Sequence, residues 1–356
     1  MNRKMGLKWL LMMAALLIFV AGCGLRATPQ ETIQGALEKT MGLKSYTFST
    51  SVNLDELTLP EAFLENEGPE GAMVLGLLQN LKIDMNGTYQ AEPMRMEVTA
   101  DIALSGDLSF NLTVPMVFTK EKFWIKVPKI PMVPMGEVAG KFVEIDLEEL
   151  AKQEEMKVPA YNPELQQKLV QDVTSIVLKH LDSKQYFQQL SKEELKALPE
   201  GLELNKAIKV SVNQSNFESA VLTFMEKSLP EILDMLAGNE SYMKILDVTK
   251  EDIESSKKEL SGEDAEVWKK GLEEMKKELT INEFSLVGGI HKNYLTYQDV
   301  KADMSFMVDG DPAKLVLSMV NSYANLNEAV EFKIEVPEDQ IITMDELRNQ
   351  GSQLEY

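Results

Sequence analysis

Six apolar residues, Met94, Met96, Val98, Ala100, Ile102 and Leu104, stand in strict alternation with Arg95, Glu97, Thr99 and Asp101 between them. Successive side chains of a strand point to opposite faces, so such a run has one face to bury and one to leave in water. A helix of the same residues would scatter its apolar positions around the whole circumference. The segment is therefore a half-buried antiparallel strand. The same period recurs at Tyr46, Phe48, Thr50, Val52 and Leu54, at Leu81, Ile83 and Met85, and at Leu108, Phe110, Leu112 and Val114. Phe123, Ile125 and Val127 continue it, and a short strand at Phe142–Leu147 ends the block. Ser105-Gly106-Asp107 reads as a turn, and the proline-rich Pro128–Pro134 as a loop or edge, since proline cannot donate to a sheet ladder.

A second block follows a helical middle. Phe284, Leu286 and Ile290 open it. Val300, Ala302, Met304, Phe306 and Val308 alternate with polar residues, Asp309-Gly310-Asp311 turns, and Leu315, Leu317 and Met319 continue. Phe332, Ile334 and Val336 predict a last strand. A first helix is expected over 29–41, with Thr28 as N-cap, Pro29 in the first turn and Gly42 as C-cap. Its inner face is Ile33, Ala36, Leu37, Thr40 and Met41. Residues 55–80 read as an insertion with a short helix at Met73–Leu78. Leu165, Leu169, Val173, Ile176, Val177 and His180 share one helical stripe. A second middle helix carries Phe217, Val221, Phe224 and Met225 and re-starts at Pro230, with a strand at Ile208, Val210 and Val212 before it. A third, capped by Ser261 with Asp264, presents Trp268, Leu272, Met275 and Leu279 inward. Strands joined by tight turns do not alternate singly with helices, which excludes a doubly wound parallel sheet. The expected class is α+β: one large curved antiparallel sheet with helices on its concave face, over residues 29–347. It could divide into halves at 29–150 and 205–347 around the helical middle. Residues 348–356 are a tail.

The N-terminus carries an export signal. Arg3, Lys4 and Lys8 form a basic start, Trp9–Val20 an apolar run too short to span a bilayer comfortably, and Ala21-Gly22 the small residues before a cut. Val20-Ala21-Gly22-Cys23 resembles the lipobox of bacterial prolipoproteins, and Cys23 is the sole cysteine of the chain. That resemblance implies cleavage between Gly22 and Cys23, diacylation of the Cys23 sulfur, and residues 23–28 as a lipidated tether to the extracytoplasmic face of a cell membrane. Two acyl chains suffice for stable anchoring. The rest is acidic: 57 Asp and Glu against 36 Lys and Arg give a formal charge of −21, and loss of Arg3, Lys4 and Lys8 takes it to −24. Such a body repels nucleic acid and anionic lipid headgroups alike.

A lipobox, a short tether, a first helix, the opening strand Leu43-Lys44-Ser45-Tyr46-Thr47-Phe48 and then successive alternating strands resemble the LolA/LolB/LppX-like superfamily, as found in lipoproteins of Gram-positive bacteria. The resemblance covers most of residues 29–347. It implies an unclosed half-barrel with helices packed on its concave face and a binder or carrier of an apolar, lipid-like ligand.

Chemistry-bearing motifs are absent: there is no G-x-S-x-G, H-E-x-x-H, C-x-x-C or phosphate-binding glycine loop. No enzyme activity and no cofactor is expected. His180 reads as a satisfied, half-buried residue and His291 as exposed. The 21 methionines are the unusual feature. They are ordinary core, or an adaptable lining for an acyl chain. In the second case Met94, Met96, Val98, Met304 and Phe306 are the candidate lining. The competing function is an envelope interaction or sensory lipoprotein whose barrel is plugged by its own helices and takes no small molecule.

Overall fold

The Met94–Leu104 run forms a strand over those same residues in the computed structural model. The structure describes residues 27–60, 76, 78, 81–104, 109–130, 136–149, 163–260, 264–308, 310–344, 346 and 347. The first block supplies β1 (Ser45–Thr58), β2 (Lys82–Ala91), β3 (Met94–Leu104), β4 (Phe110–Thr119), β5 (Lys122–Lys126) and β6 (Phe142–Asp146). The second supplies β7 (Phe187–Gln189), β8 (Lys206–Val212), β9 (Leu279–His291), β10 (Tyr294–Val308), β11 (Asp311–Ala324) and β12 (Ile341–Thr343). All twelve lie in one unclosed sheet, in the order β12-β6-β5-β4-β3-β2-β1-β11-β10-β9-β8-β7. Every pairing is antiparallel except that of β12 with β6. The expected α+β class with an open antiparallel sheet is the observed one. Both edge strands are three residues long, which leaves little unpaired backbone for another chain to join.

Two meanders, β1–β6 and β7–β11, advance in the same sense across this sheet and meet where β1 pairs β11. The second meander begins at residue 187, and β12 crosses back to the edge of the first. Register makes one face apolar across both. Val210, Leu286, Val300, Met319, Val52, Ile83, Ile102 and Leu112 are successive cross-strand partners. One residue along, the rung reads Ser211, Ser285, Lys301, Ser318, Asn53 and Lys82. The strand period of two therefore sorts the residues cleanly onto two faces.

Nine helices are found among the described residues. They are α1 (Pro29–Met41), α2 (Pro163–His180), α3 (Ser183–Tyr186), α4 (Lys192–Lys196), α5 (Phe217–Thr223), α6 (Leu229–Ala237), α7 (Glu240–Leu246), α8 (Lys250–Glu259) and α9 (Asp264–Glu278). The start of α1 is a full capping box: the Glu31 amide donates to the Thr28 hydroxyl, and the Thr28 amide donates to the Glu31 carboxylate at 2.7 Å. Ile33 and Ala36 of α1 bury against Phe187, Ile208, Ile290 and Leu295, with Leu178 and Leu181 packed beside them. Ile208 is fully buried, and a side chain of its size contributes roughly 1.5–3 kcal/mol by leaving water. Leu169 and Ile176 of α2 form a second core with Ile232, Leu233, Leu236, Tyr242, Met243 and Ile253. The helices thus cover the apolar face over β7–β10.

Several expectations are corrected. Phe332, Ile334 and Val336 alternate, but residues 329–337 join no ladder; they form an extended strap anchored by side chains of β3. The strap turns out of β11 through left-handed Asn325 and Asn327, a conformation asparagine tolerates well. It then crosses the polar face. The α-helix re-starts at Leu229 with Pro230 in its first turn, but without a break in the rod. It follows a π-turn, Phe224–Ser228, that joins α5 to α6 in one rod. A proline ring crowds the carbonyl four residues back, and the wider π-turn relieves this. In α9, Leu272 is buried, but Met275 is 46% exposed, and Leu279 opens β9 instead. The first strand runs to Thr58, past residue 55, because a bulge between Leu54 and Glu56 turns the acidic pair outward, where Ser318 Oγ donates to Asp55 at 2.7 Å. Three of the shorter helices, α4, α7 and α8, were not expected; each is set by a polar N-cap, Ser191, Asn239 or Thr249. The Gly22–Cys23 cut, tether residues 23–26, Ser105-Gly106-Asp107 and the Ser261 cap lie outside the described residues, as does most of Met73–Leu78.

Candidate functional site: an uncharged cavity between helices and sheet

A cavity of about 530 Å³ lies where α1, α2 and the α5–π rod stand on the apolar face of β8–β10. Ile33 and Leu37 come from α1, and Thr174, Val177 and Leu178 from α2, with Leu181 just after it. Val210, Ser211 and Val212 of β8, Phe284 and Leu286 of β9, and Leu295 and Gln298 of β10 make the sheet wall. Ala220, Val221, Phe224 and Ser228 close it from the rod. None of the lining residues is charged, and the volume falls within the range of small-molecule sites. An apolar cavity of roughly 150 Å³ already takes up benzene. Phe224 is 37% and Phe284 45% exposed, so two aromatic rings stand at the opening.

Each wall has a local cause. Gln30 of α1 donates through Nε2 to the Leu181 carbonyl at 3.0 Å, tying α1 to the end of α2. Lys179 Nζ and His180 Nε2 meet the two carboxylate oxygens of Glu231 on α6 at 2.8 and 2.6 Å. The hydrogen bond from Lys179 and then that from His180 hold the Glu231 carboxyl below its ordinary value. The rod is fixed to α9 by Lys276 Nζ to Glu218 at 2.8 Å and to the sheet by Phe217, Leu272 and Ile281.

Comparison with known proteins yields neither a matching family model nor a matching curated relative.

Among the described residues, no group of three or more His, Cys, Asp or Glu is placed to hold a metal ion. His180 is half-buried and paired with Glu231, as the sequence suggested. His291 is also half-buried, 3.6 Å from Glu203, instead of exposed. No helix among the described residues is long and apolar enough to cross a membrane.

Two other hollows have mixed polar and apolar walls. One, of about 420 Å³, lies where the strap crosses the outer face, against Thr47, Ser49, Asn86, Thr88 and Thr99. Another, of about 460 Å³, sits at the end of the β9–β10 hairpin between Glu203, His291, Lys292 and Glu328.

The five residues expected to line an apolar site sit elsewhere. Met94 is buried with Tyr89 and Ala91, and Met96 packs against that group beside Tyr46. Burial, and secondarily Tyr323 and Tyr89, push the Tyr46 phenol well above its ordinary value. Val98 is buried, while Met304 and Phe306 are half-buried. Three strands separate β3 from β10, about 19 Å at the usual strand spacing, so these five do not converge. None of them is among the cavity walls. The true walls were legible singly: Ile33, Leu37, Val177, Val210, Val212, Val221, Phe224, Phe284 and Leu286 all lie on apolar faces of the expected elements. Their convergence was not legible. Gln298 was missed altogether, because a polar residue on an apolar face breaks the period that would mark it.

Proposed function

We propose that this protein is a membrane-anchored, extracytoplasmic lipoprotein of the LolA/LolB/LppX-like type that binds or carries an apolar, lipid-like ligand without chemically altering it. The 530 Å³ cavity, walled mostly by aliphatic and aromatic side chains and free of charge, carries the reading. The signal and the Val20-Ala21-Gly22-Cys23 run support the anchor. Every helix and strand described begins after Thr28, so cleavage at Cys23 removes none of them.

The test is native mass spectrometry with lipid extraction on residues 24–356 purified from the native host, alongside titration with a neutral apolar dye. Co-purified lipid, and dye binding lost about tenfold when Ala220→Phe fills the cavity, would support a carrier. A ligand-free protein that binds no dye would reject it. The dense helical core of Leu169, Ile176, Ile232 and Tyr242 favours a plugged, partner-binding lipoprotein in that event.

A further inference from the structure

The apolar face of the sheet is interrupted once inside the cavity. Gln298 of β10 stands between Gly288 of β9 and Asn321 of β11 on that face. Asn321 is 7% exposed, and its Oδ1 accepts from Thr50 Oγ at 2.8 Å. Gln298, Asn321 and Thr50 therefore make a polar rung across an otherwise apolar wall. The Gln298 side chain lines the cavity and makes no hydrogen bond to another described residue. Gln298 is half-buried, so its amide is open to a ligand in the cavity or to water. Phe284 is paired with Ala302, four residues along β10 from Gln298, or about 14 Å. One end of the cavity is thus aromatic and open, and the other presents a free amide.

We infer that Gln298 selects an amphipathic ligand with an uncharged polar end: a neutral acyl lipid such as a monoacylglycerol, and not a fatty-acid anion or a phospholipid. The inference rests on the proposed binding function. Its polar end hydrogen-bonds the Gln298 amide, and its tail lies along Leu286 towards Phe284 and Phe224. A carboxylate there would give up part of its hydration against walls that hold no cation, which disfavours it.

The experiment displaces a neutral apolar dye from residues 24–356 with 1-palmitoylglycerol, palmitate at pH 8, and lysophosphatidylglycerol. The monoacylglycerol is expected to displace it at concentrations at least about tenfold below the two anions. Gln298→Leu should weaken the monoacylglycerol about tenfold, measured against the variant's own dye affinity, with unchanged far-UV circular dichroism reporting an intact fold; Gln298→Glu should weaken it as well. Palmitate displacing the dye as well as the monoacylglycerol, or Gln298→Leu leaving the monoacylglycerol unaffected, overturns the assignment while leaving the carrier function standing. A wild-type protein that binds no dye overturns both.

Discussion

The carboxylate of Glu97 on β3 accepts the backbone N–H of Ile334 at 2.9 Å, joining positions 237 residues apart. The same oxygen accepts the Lys333 N–H at 2.6 Å, and its partner oxygen takes Arg95 Nη2 at 2.7 Å. Arg95 also donates to the Ile334 carbonyl at 2.9 Å. A side-chain clasp replaces the strand ladder, and Glu97 is 5% exposed beneath it.

Removing that carboxylate strands two backbone donors and a guanidinium. Glu97→Ala is expected to destabilise the fold by about 2–4 kcal/mol, and Glu97→Gln by less because its carbonyl oxygen still accepts. Urea unfolding measures the loss. Limited proteolysis should cut the variant first within residues 329–337. An unaltered cleavage pattern and midpoint would show that the strap is held by other means.

Phe48 lies over Gly87 on the neighbouring strand. A methyl group built at Gly87 would come within 2.3 Å of the Phe48 ring and 2.8 Å of the Glu97 carbonyl. Gly87→Ala should therefore cost about 1–3 kcal/mol, since the Phe48 ring must shift and the Glu97 carbonyl belongs to the sheet backbone. The double variant Phe48→Ala with Gly87→Ala should be less destabilised than the sum of the single changes. Strict additivity in denaturant titration would contradict the contact.

Glu231 makes the clasp between α2 and α6 pH-dependent. Its folded pKa lies below its ordinary 4.5, so the clasp contributes fully above about pH 4.5 and is lost as the pH falls through the lower folded value. Wild type should exceed Glu231→Gln in stability at pH 7, with the gap closing near pH 3. The difference is small because both partners are solvent-accessible. Equal gaps at both values, in chemical denaturation, would argue against the clasp.

Cys23→Ala should abolish incorporation of labelled palmitate and leave the signal uncut, shown by a mass greater by residues 1–22. Labelling that persists in this variant would place the lipid elsewhere.

The best-read elements were those whose partners lie close in sequence or whose period is unbroken. α1 lies over its expected residues because Thr28 and Glu31 cap it locally, and β3 because six alternating apolar residues admit one conformation. Phe332–Val336 shows the opposite case. Its alternation is that of a strand, but the neighbour it meets is Glu97, and only a backbone edge could have made it one. The π-turn before Pro230 was read as a break because proline forbids a normal turn, while packing against α2 and α9 keeps the rod continuous.

From the residues alone came the α+β class and the sorting of each strand into an apolar and a polar face, because periodicity and capping are local properties of the chain. The tertiary structure alone decided which apolar residues enclose space. Met94, Met304 and Phe306 carry the same pattern as Leu286, yet they lie on parts of the sheet away from the three helical elements that roof β8–β10. A cavity depends on what stands opposite a face, and helices fixed by Gln30, Glu231 and Lys276 set that through contacts between residues distant in the sequence.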